Sequence, residues 1–213
     1  MAYRLAPAEK LRAALFPAAP IASVQALNTF EPEMVAAGIL TSKTRGALFL
    51  AHLAHECAGL TVKREDLYYT KPESLMKAWP RRFPTKEAAM PYLRNPKALA
   101  AKVYDGRLEL GNTVPGDGYL FRGNGGLQIT GRGAHQEVGD IAELDLVNHP
   151  ELAHSTPDNL IRCAIAVWRW KSLNAQCDTP RPIENSTQKL NGGFNGLEDR
   201  RRKYLVARGL ILG

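Results

Sequence analysis

The stretch Thr44-Arg-Gly-Ala-Leu-Phe-Leu-Ala-His-Leu-Ala-His-Glu-Cys-Ala58 decides the fold of the chain. It is rich in Ala and Leu, which favour helix formation. Its apolar side chains surround the helix on nearly all sides, which is typical of a buried helix. Gly59 can supply a left-handed C-terminal cap. The sequence therefore predicts a buried central helix over residues 43–58, with Glu56 in its last turn.

The position of Glu56 has a chemical consequence. Burial disfavours a carboxylate, and the negative end of the helix dipole repels it, so both effects are expected to raise the pKa of Glu56. A general acid that works near neutral pH requires such a pKa. Nine residues later, Glu65 lies beside Lys63 and Arg64, which predict a low pKa and a charged carboxylate. Solvated loop charges at Glu65 and Asp66 are the alternative.

Two carboxyl groups whose pKa values are pushed apart form an acid/base pair. The loop between Glu56 and Glu65 can hold them roughly 6.5–9.5 Å apart, which leaves room for a water molecule and predicts inversion at an anomeric carbon. This pair is the first candidate for a catalytic site.

The rest of the chain is predicted to be mainly α. Apolar residues recur at helical spacing, whereas period-two runs are scarce. One short hairpin is expected around Tyr119 to Ile129. The predicted helices cover residues 7–16, 22–28, 31–38, 43–58, 72–79, 85–92, 95–104, 134–138, 157–172, 183–190 and 197–208.

Length and charge limit the possible functions. The 213 residues fit one domain, and the net charge of +7 favours an anionic partner such as nucleic acid, a membrane surface or an acidic cell-wall polymer. No helix-turn-helix or RNP-like pattern supports nucleic acid. The cysteines, Cys57, Cys163 and Cys177, form no even framework, so reduced thiols are the simplest interpretation.

Two further segments place polar residues among glycines. Phe121-Arg-Gly-Asn-Gly-Gly-Leu-Gln-Ile-Thr-Gly-Arg132 would direct Gln128 and Thr130 to one face of a short strand. Its glycines allow a ligand to approach the backbone closely, although a turn without a ligand is equally compatible. In Leu190-Asn-Gly-Gly-Phe-Asn-Gly-Leu-Glu-Asp-Arg200, Asn191 is either a ligand-binding residue or an ordinary turn residue.

His52, His55 and Glu56 form H-x-x-H-E, which raises the question of zinc. Zinc protease helices present H-E-x-x-H, with the histidines four residues apart. Here they are three apart, so buried, hydrogen-bonded histidines are favoured, and neither a metal nor a cofactor is expected. A Cys–His hydrolase using Cys57 is the weaker alternative, because no flanking signature supports it.

Taken together, these segments resemble glycoside hydrolase family 19, the chitinase-like enzymes, and especially its bacteriophage endolysin branch. The resemblance covers roughly residues 45–205. His55-Glu56-Cys57-Ala58-Gly59 resembles the family segment that carries the general acid. Tyr119 to Arg132 resembles the aromatic-Arg-Gly-x-Gly…Gln-x-Thr-Gly-Arg segment, and Asn191-Gly-Gly resembles the cleft wall.

The resemblance implies an all-α, lysozyme-like fold with two lobes and a central cleft, in which a smaller helical lobe is inserted around residues 70–110. It also implies metal-free hydrolysis in a single displacement. Glu56 would be the general acid and Glu65 the base, while Thr130 would help to hold the attacking water. The residues expected to bind substrate are Gln128, Asn191, Arg200, Tyr69 and Arg122. Asn124, Ala134 and Cys57 depart from the usual family residues.

Peptidoglycan is the expected substrate, and chitin is the alternative, because the two share β-1,4-linked N-acetylated sugars. Charged residues interrupt the N-terminal stretch, so we expect no secretory signal. The protein is expected to be made in the host cytoplasm and released by a partner. A monomer is expected, because nothing in the sequence requires a larger assembly. The basic stretch from Glu198 to Gly213 could contact an anionic membrane, and a packed terminal helix is the alternative. A non-catalytic glycan-binding module is the rival class of function.

Overall fold

The computed structural model describes residues 2–61 and 63–213, and this part of the chain is mainly helical, as predicted. Two short 3-10 turns lie at Met90–Tyr92 and Leu108–Leu110. The α-helices are α1 (Ala8–Leu15), α2 (Ile21–Thr29), α3 (Glu31–Ala36), α4 (Lys43–Glu56), α5 (Pro72–Ala78), α6 (Lys86–Ala89), α7 (Pro96–Tyr104), α8 (Asp117–Leu120), α9 (Arg132–Ala142), α10 (Leu152–Ser155), α11 (Pro157–Trp170), α12 (Leu173–Cys177), α13 (Pro182–Asn191) and α14 (Leu197–Arg208).

The strands lie at the two ends of the chain. Strand β1 (Arg4–Leu5) pairs antiparallel with β2 (Ile211–Leu212), and this is the one sheet in the described residues. The predicted hairpin around Tyr119 to Ile129 is wrong. Asp117–Leu120 is helical, and Asn124 and Ile129 then form only an isolated bridge. An extended run cannot form here because Gly125, Gln128 and Gly131 all have a positive φ.

Helix α4 is the centre of the larger hydrophobic core. Every residue from Gly46 to Ala54 is buried, so the prediction of a buried helix is confirmed. The Ser42 side chain accepts a hydrogen bond from the Arg45 N–H and caps the N-terminus. Trp168 of α11 packs edge-on against Phe49 of α4, with ring centroids 5.4 Å apart.

The C-terminus of α4 differs from its prediction. The helix ends at Glu56, and Ala58 rather than Gly59 takes the first left-handed position, with a φ of 45°. The Gly59 N–H donates to the Ala54 carbonyl at 2.9 Å, which closes a Schellman-type cap. This cap stops the helix directly after Glu56.

A second, separate hydrophobic cluster is formed by residues from Leu67 to Val103. We call the segment built on it, residues 67–104, the small lobe. Aromatic rings pack in sequence within it: Tyr69 on Trp79, Trp79 on Phe83, and Phe83 on Tyr92, with centroid distances of 5.3–6.3 Å. The last residue of α7, Tyr104, packs against this cluster, so its ring is held by the small lobe.

Within the described residues, no helix combines the length and the apolar character that crossing a bilayer requires. Helix α14 packs along α4, and Arg200, Tyr204 and Ala207 on its inner side are buried. On its outer side, Leu205 and Val206 are exposed. The expected membrane contact of this basic helix stays a prediction.

Candidate active site

A groove of about 960 Å³ is lined by four of the eight candidate site residues that the sequence singled out, whereas Glu65, Tyr69, Arg122 and Arg200 do not line it. Glu56, Gln128, Thr130 and Asn191 all line it. They come from the end of α4, the turn that follows α8, and the end of α13. A volume of this size is in the range of small-molecule and oligomer sites. The groove is therefore the candidate active site.

Glu56 is held by a buried arginine. Arg200 Nη2 of α14 donates to Glu56 Oε1 at 2.5 Å, and Arg200 Nη1 donates to His52 Nδ1 at 3.0 Å. The Arg200 side chain is only 1% exposed, whereas that of Glu56 is 13% exposed. The expectation that Arg200 binds substrate stays a prediction. Because its guanidinium is buried against α4, Arg200 acts on the groove through Glu56.

His52 continues this network into the core. Since Nδ1 accepts from Arg200, the ring proton is on Nε2, which donates to Ser186 Oγ at 2.9 Å. The Ser186 hydroxyl in turn donates to the Pro182 carbonyl at 2.6 Å. Burial, together with the positive charge of Arg200, holds the pKa of His52 well below its usual range. His52 is therefore a neutral residue that supports Arg200.

A second set of contacts joins the end of α4 to the start of α14. His55 Nδ1 lies 2.7 Å from Asp199 Oδ2, and Lys203 Nζ donates to Asp199 Oδ2 and to the Ala54 carbonyl. Burial opposes ionisation of Asp199, but the hydrogen bonds from His55 and Lys203 outweigh it and keep the pKa of Asp199 below its usual range. Gly196 lies so close to the His55 ring that an added Cβ would be 2.3 Å from it. The end of α4, which carries Glu56, is thus held against the start of α14.

Both histidines of the H-x-x-H-E motif therefore have protein hydrogen-bond partners. This is the interpretation that the sequence favoured over a zinc site. Among residues 2–61 and 63–213, no group of three His, Cys, Asp or Glu side chains has an arrangement that could hold a metal ion.

Glu65 is held by the small lobe and by backbone. Tyr104 Oη donates to Glu65 Oε1 at 2.9 Å, and the Gly123 N–H donates to Oε2 at 3.2 Å. Burial raises the pKa of Glu65, although these two hydrogen bonds oppose the effect. The predicted low pKa is wrong because burial has the largest effect on this carboxyl group. The adjacent Arg64 donates instead to the Leu120 carbonyl at 2.8 Å.

Gln128 connects the wall of the groove to Glu65. Its backbone is left-handed, with a φ of 55°, which is uncommon for a residue other than glycine. An added Cβ on Gly123 would lie 2.2 Å from Gln128 Oε1 and 3.2 Å from Glu65 Cβ. Only glycine at position 123 therefore lets the two side chains lie side by side. The Thr130 hydroxyl donates to the Gln128 carbonyl at 3.3 Å and also lines the groove.

Tyr69 and Arg122 do not line the groove. The Arg122 guanidinium lies over the Tyr119 ring at 4.1 Å and donates to the Glu65 and Tyr119 carbonyls. Tyr69 packs on Trp79, and burial together with the charge of Glu65 raises the pKa of its hydroxyl. Arg122 therefore supports the backbone at Glu65, Tyr69 packs within the small lobe, and the expectation that both bind substrate stays a prediction.

Several residues of the site and its surroundings were not predicted from the sequence. Tyr104 is 39 positions from Glu65, and no local pattern connects the two. Trp170 and Lys171 line the groove at the end of α11, where Lys171 Nζ lies 5.0 Å from the centroid of the Trp170 ring. An aromatic face in a groove is suited to packing on a sugar ring. For Trp170 and Lys171, the only signal in the sequence would have been their position at the end of a predicted core helix.

The residues that depart from the family pattern are accommodated locally. Cys57 is buried, its thiol donates to the Leu53 carbonyl, and burial raises its pKa to about 11, so it is protonated at neutral pH. This argues against the Cys–His hydrolase. Asn124 is buried and accepts a hydrogen bond from His154 at 2.6 Å. Ala134 lines the groove with a short side chain.

Comparisons with known proteins identify relatives. No model of a known protein family matches the chain. A glycosyl hydrolase family 19 domain-containing protein of Haemophilus influenzae is 31% identical over 169 residues, which are 76% of this chain and 78% of the relative.

Solved structures show a shared fold. Chitinase C from Streptomyces griseus superimposes with a TM-score of 0.60 at 16% identity, over 96% of this chain and 76% of that one. A bacterial family 19 chitinase gives a TM-score of 0.56 at 15% identity, over 96% of this chain and 94% of that one. The all-α fold class predicted from the sequence is therefore confirmed.

Proposed function

The chain belongs to glycosyl hydrolase family 19, and from this we propose that it hydrolyses the glycan strands of bacterial peptidoglycan, with Glu56 and Glu65 as the acid/base pair. The observation that carries the proposal is the position of Glu56. Arg200 holds its carboxylate on the wall of a groove that Gln128 and Thr130 also line.

The geometry supports different roles for the two carboxyl groups. Glu56 Oε1 is occupied by Arg200, whereas Oε2 has no hydrogen-bond partner among the described residues. In the acid form of Glu56, Oε2 would carry the proton that passes to the glycosidic oxygen. Burial raises the pKa of Glu65, which makes its carboxylate a stronger base for a water molecule. The Thr130 hydroxyl would orient that water, and attack from the opposite face of the ring would invert the anomeric carbon.

Chitin is the second candidate substrate, because two structures with this fold are chitinases. The net charge of +7 favours peptidoglycan, whose strands carry carboxylates, since a cationic enzyme is attracted to an anionic polymer. A family 19 domain that only binds glycan is the rival without catalysis.

Digestion of purified cell walls tests the proposal. Wild type is compared with Glu56→Gln and Glu65→Gln by loss of turbidity, and mass spectrometry of the released ends names the bond that is cut. We expect wild type to clear the walls and both variants to fail while they remain folded. Cleavage of chitin oligomers by an enzyme that is inert on walls would move the substrate to chitin. Binding without cleavage of either polymer would favour the non-catalytic module.

We further propose that the enzyme is a monomeric bacteriophage endolysin that uses no metal or cofactor and needs a membrane-permeabilising partner to reach the wall from the host cytoplasm. Expression in bacteria with and without permeabilisation of the inner membrane tests this role. Lysis is expected only after permeabilisation, and it should require Glu56. Lysis of intact cells by the enzyme alone would contradict the need for a partner.

A further inference from the structure

A second concavity of about 380 Å³ adjoins the groove. We call it the arginine annex, and define it by residues 78–82 at the end of α5 together with Arg107 and Glu109. Glu109 lines both the groove and the annex, so the 3-10 turn Leu108–Leu110 separates the two. A polymer lying in the groove can therefore extend a side branch across this turn into the annex.

The annex and the groove differ in charge. Three arginines, Arg81, Arg82 and Arg107, face one carboxylate, Glu109, in the annex. The groove instead is lined by Glu56, Glu109 and Glu137, with Lys171 as its cation. The groove thus suits a neutral sugar chain, and the annex suits an anion.

The arginines differ in how much of their binding capacity is already used. Arg107 Nε donates to Glu109 Oε1 at 2.8 Å, and Arg82 Nη1 donates to the Lys102 carbonyl at 2.9 Å. Arg81 is exposed and forms no hydrogen bond or ion pair with the chain from residue 2 to 61 or from 63 to 213. A guanidinium carries five N–H donors in a planar fork that fits a carboxylate. Arg81 therefore has all its donors available.

The wall that carries Arg81 is held in place. Trp79 lies between the rings of Tyr69 and Phe83, with centroid distances of 5.8 and 6.3 Å. The Arg82 and Phe83 N–H groups donate to the Trp79 carbonyl at 3.0 and 2.9 Å, which closes the turn after α5. The arginines are therefore presented by an ordered turn, which lowers the entropic cost of binding an anion.

We propose that the arginine annex binds a carboxylate of the peptide branch that peptidoglycan strands carry. The inference rests on the proposed function and deepens it, because chitin has the same sugar linkage but no carboxylated branch. Recognition of the branch by Arg81 and its neighbours would make the small lobe the part of the enzyme that selects the wall polymer over chitin. The interaction is a charge-assisted hydrogen bond at a solvated site, so ionic strength should weaken it.

Substitutions of Arg81 test the proposal, because its side chain supports no other contact. We expect Arg81→Gln to lower kcat/KM about threefold and Arg81→Glu about tenfold on soluble strands whose peptides have free carboxylates. On the same strands with amidated carboxylates, and on chitin oligomers where these are cleaved, both variants should match wild type. Lys77→Gln, which removes an exposed charge from α5 outside the annex, is the matched control and should be unchanged on both.

The outcomes separate the two proposals. An enzyme that cleaves the strands through Glu56 but whose Arg81 variants equal wild type would overturn the annex alone. Equal losses on free and amidated strands would also overturn it, since the effect would not depend on a carboxylate. A wild type that is inert on all peptide-bearing strands, or a fully active Glu56→Gln, would overturn the proposed function and the annex with it. Thermal unfolding of each variant verifies that folding is intact.

Discussion

The two carboxyl groups of the site are held by different parts of the molecule. Glu56 is at the end of the most buried helix and is fixed by Arg200, a side chain from 144 residues later in the chain. Glu65 lies on irregular backbone and is fixed by Tyr104 of the small lobe and by the Gly123 N–H. The larger core thus positions the proposed acid, and the small lobe positions the proposed base. Movement of the small lobe would change the second position and leave the first intact.

Glu56→Gln should have the largest effect on activity. Glutamine keeps the shape and can still accept from Arg200, but it cannot protonate a leaving group. We expect kcat on glycan strands to fall about 10³-fold, within the usual range for loss of a general acid. Reducing-end release measures the rate, and circular dichroism checks the fold. Retention of more than a tenth of the activity would exclude Glu56 from the acid role.

Arg200→Met should mainly affect stability. Removal of one member of a buried ion pair leaves the other without a partner, which costs about 3–5 kcal/mol in unfolding free energy. Urea denaturation measures the loss. Part of it should be recovered in the double variant with Glu56→Gln, because the unpaired charge is then absent. Equal losses in the single and double variants would contradict the coupling.

Tyr104→Phe should have a smaller effect, confined to Glu65. The hydrogen bond from Tyr104 stabilises the charged carboxylate, so its removal raises the pKa of Glu65 further. The acidic limb of the pH–rate profile is therefore expected to move to higher pH, and the rate below neutrality to fall about fivefold, equivalent to about 1 kcal/mol for one hydrogen bond. Tyr92→Phe in the same lobe is the matched control. A shift to lower pH, or none, would contradict the assignment.

The smallest expected effect is the change in the pH dependence of stability that Glu65→Gln causes. Because burial raises the pKa of Glu65 in the folded protein, ionisation of this group destabilises the fold as pH rises through that pKa. Relative to wild type, the variant should gain unfolding free energy between acid and neutral pH. Urea denaturation at several pH values measures it. A relative gain in the opposite direction would mean that the pKa is lowered.

Local patterns in the sequence predicted most of the longer helices and singled out four of the residues that line the groove. The apolar periodicity of α4 predicted its start at Lys43 and its burial, and the predicted 197–208 helix matches α14. The short helices α8, α10 and α12 were missed because four or five residues are too few to show a helical period. Gln128 and Thr130 reach the groove as expected, although through a left-handed turn and not through a strand.

Long-range contacts were beyond the sequence patterns. Nothing near Glu56 indicates that Arg200 pairs with it, and nothing near Glu65 indicates Tyr104, because these partners are 144 and 39 residues apart and meet only in the folded chain. For the same reason, the pKa of Glu65 was predicted in the wrong direction. Adjacent Lys63 and Arg64 were assumed to contact the carboxylate, whereas burial by distant residues dominates. Charges adjacent in sequence are therefore a poor guide to a buried group.

The most direct measurement of the two-carboxylate mechanism is the anomeric form of the first product. Proton NMR during cleavage of soluble peptidoglycan strands distinguishes the α from the β anomer before mutarotation mixes them. We predict that wild type releases the α anomer and that Glu56→Gln and Glu65→Gln release none while remaining folded. Release of the β anomer, or turnover by Glu56→Gln at the wild-type rate, would contradict a single displacement by Glu56 and Glu65.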